Sequence, residues 1–175
     1  MRASPWRAGL LAVPLLLAGC AGADAATQHS TAERQPSPTA AMVCGDDVVG
    51  DVGRALALPE PPATTATWAD PRFTCDYTLP AGRLVLSVQE SSSPAAAAAF
   101  FDGRRGELGA TAPAAGLGER AFTTPTGTVV VVKDAMTLIV DATGLPEVFG
   151  ANGQRRSAFA YEVASIVLGC WTGHE

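Results

Sequence analysis

The chain has 175 residues, 47% of them hydrophobic, and a formal net charge of −5, which leaves room for one buried core once leader and linker are set aside. Arg2 and Arg7 are the only charges ahead of Cys20, and without them 10 basic residues face 17 acidic ones, a net charge of −7. That balance excludes nucleic acid and anionic headgroups as charge-driven partners, and no apolar run after Cys20 approaches the ~20 residues that span a bilayer.

The first twenty residues have the three parts of an export signal: basic Arg2 and Arg7, an apolar stretch over 8–17, then small residues. Leu17-Ala18-Gly19-Cys20 resembles the lipobox of bacterial lipoproteins. The resemblance implies cleavage before Cys20, a diacylglyceryl group on its thiol, and acylation of the palmitate type. Ala23-Asp24-Ala25 is a competing site for ordinary signal cleavage, which would leave the protein secreted. Residues 20–42 are small and polar without apolar periodicity and read as a disordered linker. Two acyl chains anchor stably where one binds only marginally. A linker of this length reaches on the order of 25 Å, beyond the ~8 Å screening length of physiological salt, so an acidic domain can stand clear of an anionic surface. The expected organisation is a signal peptide over 1–19, a lipid-anchored tether over 20–42 and one domain over 43–175, held at the outer face of the cell membrane.

In the domain, Asp46 and Asp47 open a helix over 45–56 with Val48, Val49, Val52 and Leu56 on one face, and Pro59, Pro61 and Pro62 end it. Strands follow at 73–78 and 83–90, turned through Pro80-Ala81-Gly82; in the second, Leu84, Leu86 and Val88 alternate with Val85, Ser87 and Gln89. Ser93 as N-cap and Pro94 at N1 announce a second helix, anchored by Phe100 and Phe101. Strands at 120–124, 128–133 and 136–142 are joined by short turns. A last helix over 154–170 carries Phe159, Val163, Ile166, Val167 and Cys170 at helical spacing. The order α-β-β-α-β-β-β-α predicts an α+β fold, an antiparallel sheet of about five strands with the helices packed on one face.

If Cys20 is the anchor, Cys44, Cys75 and Cys170 remain, an odd number in an oxidising compartment. Loop-closure entropy gives roughly 3.7 kcal/mol for Cys44 with Cys75 and roughly 4.9 for Cys44 with Cys170, too close to choose. The ordered motifs Cys44-Gly45, Cys75-Asp76-Tyr77 and Gly116-Leu117-Gly118-Glu119-Arg120-Ala121-Phe122 resemble a family of uncharacterised small lipoproteins from high-GC bacteria, over about 43–168. The resemblance implies a Cys44–Cys75 bridge pinning helix to sheet, and no activity. Cys170 is outside the family pattern and is read as a buried thiol, with pairing to another cysteine as the alternative.

Residue types for catalysis are sparse. His29 falls in the tether and His174 next to the end; Cys170 and His174 stand four apart, but Thr172-Gly173 should break the helix, and no second pair completes a metal site. Asp46 and Asp47 read as helix-dipole partners, Asp76 as a strand residue facing solvent, and Arg104-Arg105 and Arg155-Arg156 as solvated helix faces. Gly116-Leu117-Gly118 lacks the strand before and helix after that a nucleotide loop needs. Trp171 is expected to pack the last helix on the sheet, and Trp68 sits in a Pro-rich loop as packing or pocket residue. The expectation is a lipid-anchored extracytoplasmic domain, without cofactor or metal, that binds an envelope protein or a small hydrophobic ligand. The alternatives are an extracytoplasmic enzyme using carboxylates or a thiol, and a structural accessory of an envelope complex.

Overall fold

The structure is a computed structural model and describes residues 34–109, 111–150 and 153–172. Cys20, His29 and His174 lie outside them, as do the signal and lipid-attachment assignments. The described chain is α+β with a large antiparallel sheet. In chain order it runs α1 (Pro38–Ala41), a single 3-10 turn (Met42–Cys44), α2 (Asp46–Ala55), β1 (Ala63–Ala69), β2 (Arg72–Leu79), β3 (Gly82–Glu90), α3 (Pro94–Leu108), β4 (Ala112–Pro113), β5 (Arg120–Thr123), β6 (Thr128–Lys133), β7 (Met136–Asp141), the short β8 (Val148–Phe149) and β9 (Gln154–Arg155), and α4 (Arg156–Thr172).

Seven strands form the main sheet in the spatial order β1-β2-β3-β7-β6-β5-β4, where about five were expected. The five expected strands are β2, β3, β5, β6 and β7; the additions are β4, two residues long, and β1, seven residues long. β1 escapes a periodicity argument because its burial does not alternate: Trp68 alone is half-buried. Its strand state comes from pairing one-to-one with β2 from Ala63↔Thr78 to Ala69↔Arg72, and threonine's β-branch suits that conformation.

The expectation that the helices share one face is corrected. Phe73, Cys75 and Tyr77 of β2, Leu84, Leu86 and Val88 of β3, Leu138 and Val140 of β7, and Val129 and Val131 of β6 form one core with α2 and α4. The alternate residues Val130, Val132 and Ile139, with Phe122 of β5, meet Ala97 and Phe101 of α3 on the opposite face. Phe101 and Phe122 stack edge to face at 5.0 Å. The reason is topological. The chain leaves the sheet centre at β3 and re-enters at the far edge, at β4, so α3 must cross a face, and the other one holds α2 and α4. β6 carries the mark of this: Thr128 to Val132 are all buried, and a strand buried on both sides reads as a continuous apolar run.

The folded region also begins before residue 43. Ser37 caps α1 by accepting from the Ala40 amide, and Ala40 and Val43 are fully buried. In α4 the buried residues are Phe159, Ala160, Val163, Ala164, Val167, Leu168 and Trp171. The small Ala160 and Ala164 bring the helix close to the sheet, which rotates the inward stripe relative to the one the large residues suggest and leaves Ile166 and Cys170 half-buried.

Candidate functional site

Three of the ties that fasten the segment 34–44 onto the sheet come from β2 and β3. Cys44 and Cys75 form a disulfide with Cα atoms 5.4 Å apart, the pairing the family resemblance implies. Cys170, the alternative partner, is left a free thiol. Two residues along the same face of β2, the buried Tyr77 hydroxyl donates to the Val43 carbonyl; burial pushes this phenol well above its ordinary range. The third tie is Glu90, only 8% exposed at the end of β3. Its carboxylate accepts from the Ser37 amide at 2.7 Å and from Arg34 Nη2 at 2.9 Å. Burial opposes its ionisation, but the hydrogen bonds from Ser37 and the Arg34 charge outweigh that and hold its pKa below the usual carboxylate value. Sequence reasoning passed over Glu90, yet the signal was there: Leu84, Leu86, Val88 and Glu90 share one parity, so the carboxylate must point inward.

Trp68 and Trp171 serve the same segment. The Trp68 indole donates to the Arg34 carbonyl, and Trp171, 4% exposed, donates to the Thr39 carbonyl at 3.1 Å. Trp171 thus fastens α4 to the N-terminal segment as well as filling the core.

The other singled-out residues do not converge. Asp46 and Asp47 are exposed in the first turn of α2. Asp76 lies on the opposite face of the sheet, since its neighbours Cys75 and Tyr77 point into the α2/α4 core, and it pairs with Arg83. Cys170 sits near the end of α4. Gly116 and Gly118 have positive φ, +80° and +51°, and a Cβ on Gly118 would stand 2.5 Å from the Val132 carbonyl oxygen. The Gly-Leu-Gly motif is therefore a tight turn that lets the chain close onto β6, with Leu117 buried beneath it. It borders an open cleft of about 310 Å³ with Ser165, Leu168 and Gly169 of α4. Arg104 departs from the solvated-face reading, being half-buried with its Nε out of solvent while it pairs with Glu107; Arg155 is exposed but belongs to β9, not a helix, and lies 3.9 Å from Glu147. Arg156 departs from the solvated-face reading: its guanidinium donates to the Leu145 carbonyl at 2.8 Å. Asp102 has its pKa lowered by the hydrogen bond from Arg120 and then by that arginine's charge, and the Arg120 guanidinium stands 4.6 Å from the Phe101 ring centre. Among the described residues no three His, Cys, Asp or Glu side chains gather as metal ligands, and no helix is long and apolar enough to cross a membrane.

The distinctive surface is the half of the second sheet face that α3 leaves open. There β1 presents Thr65 and Thr67, β2 presents Arg72, Thr74, Asp76 and Thr78, and β3 presents Arg83, Val85, Ser87 and Gln89, as the register requires. These side chains are exposed or half-buried. Arg72 Nε donates to Gln89 Oε1 at 3.2 Å while its guanidinium stacks 5.6 Å from the Phe100 ring of α3. The Thr74 and Ser87 hydroxyls are 3.2 Å apart. The patch is a row of hydroxyl, amide and guanidinium groups, in which Arg72 and Arg83 stand with Asp76, and Asp141 of β7, registered opposite Val85, faces the same side. Its groups can both donate and accept hydrogen bonds. No protein-family model, curated protein or solved structure matches the chain.

Proposed function

We propose that this chain is a lipid-anchored extracytoplasmic binding module, tethered through Cys20 at the outer face of the cell membrane, that meets a polar envelope partner on the open β1–β2–β3 face. The observation that carries the reading is that uncovered half-face, a polar, hydrogen-bonding surface on a sheet whose remaining surfaces are packed by helices. Its charges balance, Arg72 and Arg83 against Asp76 and the neighbouring Asp141 of β7, so hydrogen bonding, not net charge, is what the face offers a partner. A small hydrophobic ligand fits this face less well than a polar macromolecular surface does. The family resemblance and the leader support export and anchoring; the one-to-one pairing of β1, β2 and β3 supports a preorganised contact, which lowers the ordering cost of binding.

The anchor is tested by the mass of the mature N-terminus and by membrane partition of Cys20→Ala, which should move the protein from the membrane to the soluble fraction. An unmodified start at Ala26 refutes the anchor. For the surface, in-cell cross-linking of the wild type is compared with Ser87→Arg and Arg83→Glu. A partner recovered with the wild type and lost from both variants supports the face; a partner retained by both places the contact elsewhere.

A further inference from the structure

The two edges of the main sheet are unlike. At one end the edge is β4, two residues long and containing Pro113, the kind of short, proline-bearing edge that discourages further pairing. At the other end the edge is β1, Ala63–Ala69, with the sequence Ala-Thr-Thr-Ala-Thr-Trp-Ala. It has no charge, no proline and no bulge, since all seven residues pair one-to-one with β2. In an antiparallel sheet alternate residues of an edge strand direct their N–H and C=O groups outward. Among the described residues nothing pairs with that side of β1, and every residue but Trp68 is exposed.

We propose that β1 pairs antiparallel with β1 of a second copy about a two-fold axis at Ala66, joining the two seven-stranded sheets into one. The segment is close to a palindrome about Ala66. In this register Ala63 meets the second copy's Ala69, Thr65 meets its Thr67, and Thr64 meets its Trp68, so no like charges face each other. The acidic residues at the ends of the strand are managed. Glu60 is held out of the strand by Pro61 and Pro62, and Asp70 has Arg34 at 3.6 Å.

The chain outside the described residues favours a second copy over a foreign strand. In a continuous sheet the two-fold axis relating two antiparallel edges runs along the sheet normal, so both helical layers of α2 and α4 lie on one side. Arg34 is fastened on that side, through Glu90 and Trp68. Arg34, where the described chain begins, then lies on the same side in both copies, and lipids on the two Cys20 residues can enter one membrane. This orientation step rests on the lipid anchor at Cys20; the edge pairing does not. The two open polar faces would merge into one surface turned away from the membrane. A strand of this length spans ~23 Å and makes a contact at the small end of specific interfaces, so pairing is weak in free solution and is strengthened by confinement of both copies to one surface.

The test uses the full chain in its own membrane, in a Cys170→Ala background. Thr65→Cys and Thr67→Cys are expressed separately and together under mild oxidation. Positions 65 and 67 face away from Cys44 and Cys75, so the native disulfide is not drawn in. Opposed residues fall within disulfide reach and like positions do not, so the mixture should yield cross-linked dimer at least about tenfold above either variant alone. Read by co-purification of two differently tagged copies, Thr65→Lys/Thr67→Lys should abolish dimer, and mixing it with Thr65→Glu/Thr67→Glu should restore it. Equal yields from single and mixed variants, or no dimer from the mixture in a membrane fraction whose lipidated N-terminus is confirmed by mass, overturns the proposal. If Cys20 carries no lipid, wild type and Cys20→Ala partition alike, and the same cross-linking on concentrated soluble protein decides the pairing separately from the anchor.

Discussion

Removing one oxygen atom tests how the N-terminal segment is held. Tyr77→Phe keeps the aromatic ring in a site where Tyr77 and Val43 are both fully buried, and deletes only the donor to the Val43 carbonyl. The transfer term barely changes, so the cost is that of a buried acceptor left without its partner, about 1–3 kcal/mol. With an unfolding entropy of ~2.1 cal/mol/K per residue over about 140 residues, or about 0.3 kcal/mol/K, Tm should fall by about 3–10 °C. Thr78→Ala, on the exposed face of the same strand, should change it by less than about 2 °C. Calorimetry of the oxidised protein at neutral pH measures both. The phenol adds an alkaline signature. Its folded pKa is raised above the unfolded value of 10.0, so its contribution is fully present below pH 10 and is lost as pH rises above that. The gap between wild type and variant should therefore narrow in alkali. A Tm shift below about 1 °C at neutral pH, or parallel alkaline profiles, would refute the argument that this hydroxyl pins the segment to β2.

Replacing both Cys44 and Cys75 by serine opens a loop of sequence separation 31 and should cost about 3–4 kcal/mol, read as a Tm drop of about 10 °C or more against the wild type without reductant. Glu90→Gln should cost about 1 kcal/mol, because Arg34 is half exposed and water screens part of the pair; amide exchange should rise in 34–44 before it rises in α4. Since the Glu90 pKa is lowered on folding, its contribution is present above the unfolded value near ~4.3 and is lost as pH falls through the folded one. Exchange in 34–44 should thus accelerate on acidification below about pH 4, with a weaker pH dependence in the glutamine variant. Thr137 is fully buried and its hydroxyl has no hydrogen-bond partner among the described residues. Thr137→Val, equal in shape, should stabilise by up to about 1 kcal/mol in urea titration; destabilisation would mean that the hydroxyl is satisfied.

What could be read from the chain alone were features written in one local stretch of backbone. The Ser93-Pro94 start of α3, the alternation of β3 from Leu84 to Val88 and the turns around Pro80-Ala81-Gly82 and Asp134-Ala135 each follow from a few adjacent residues, whose conformational preferences hold wherever the stretch is placed. The antiparallel α+β class follows from the short connections between them. The Cys44–Cys75 pairing came from resemblance, since loop entropy could not separate it from pairing with Cys170.

The tertiary structure decided everything that depends on which residues, distant in sequence, come to lie side by side. β1 is a strand because β2 offers it a hydrogen-bonding edge, so neither its threonines nor its exposed side chains disclose it. The side of the sheet taken by α3 follows from a crossover between β3 and β4 that no local period encodes; the unbroken apolar run of β6 is its one trace in the chain. Glu90 acquires its partner from a segment more than fifty residues earlier, and Asp76 is parted from Asp46 and Asp47 by the thickness of the sheet. Among the described residues the open half-face exists because α3 covers only part of one face, and the free edge of β1 because β1 ends the strand order; burial and pairing at that level are set by the whole fold, not by any stretch of the chain.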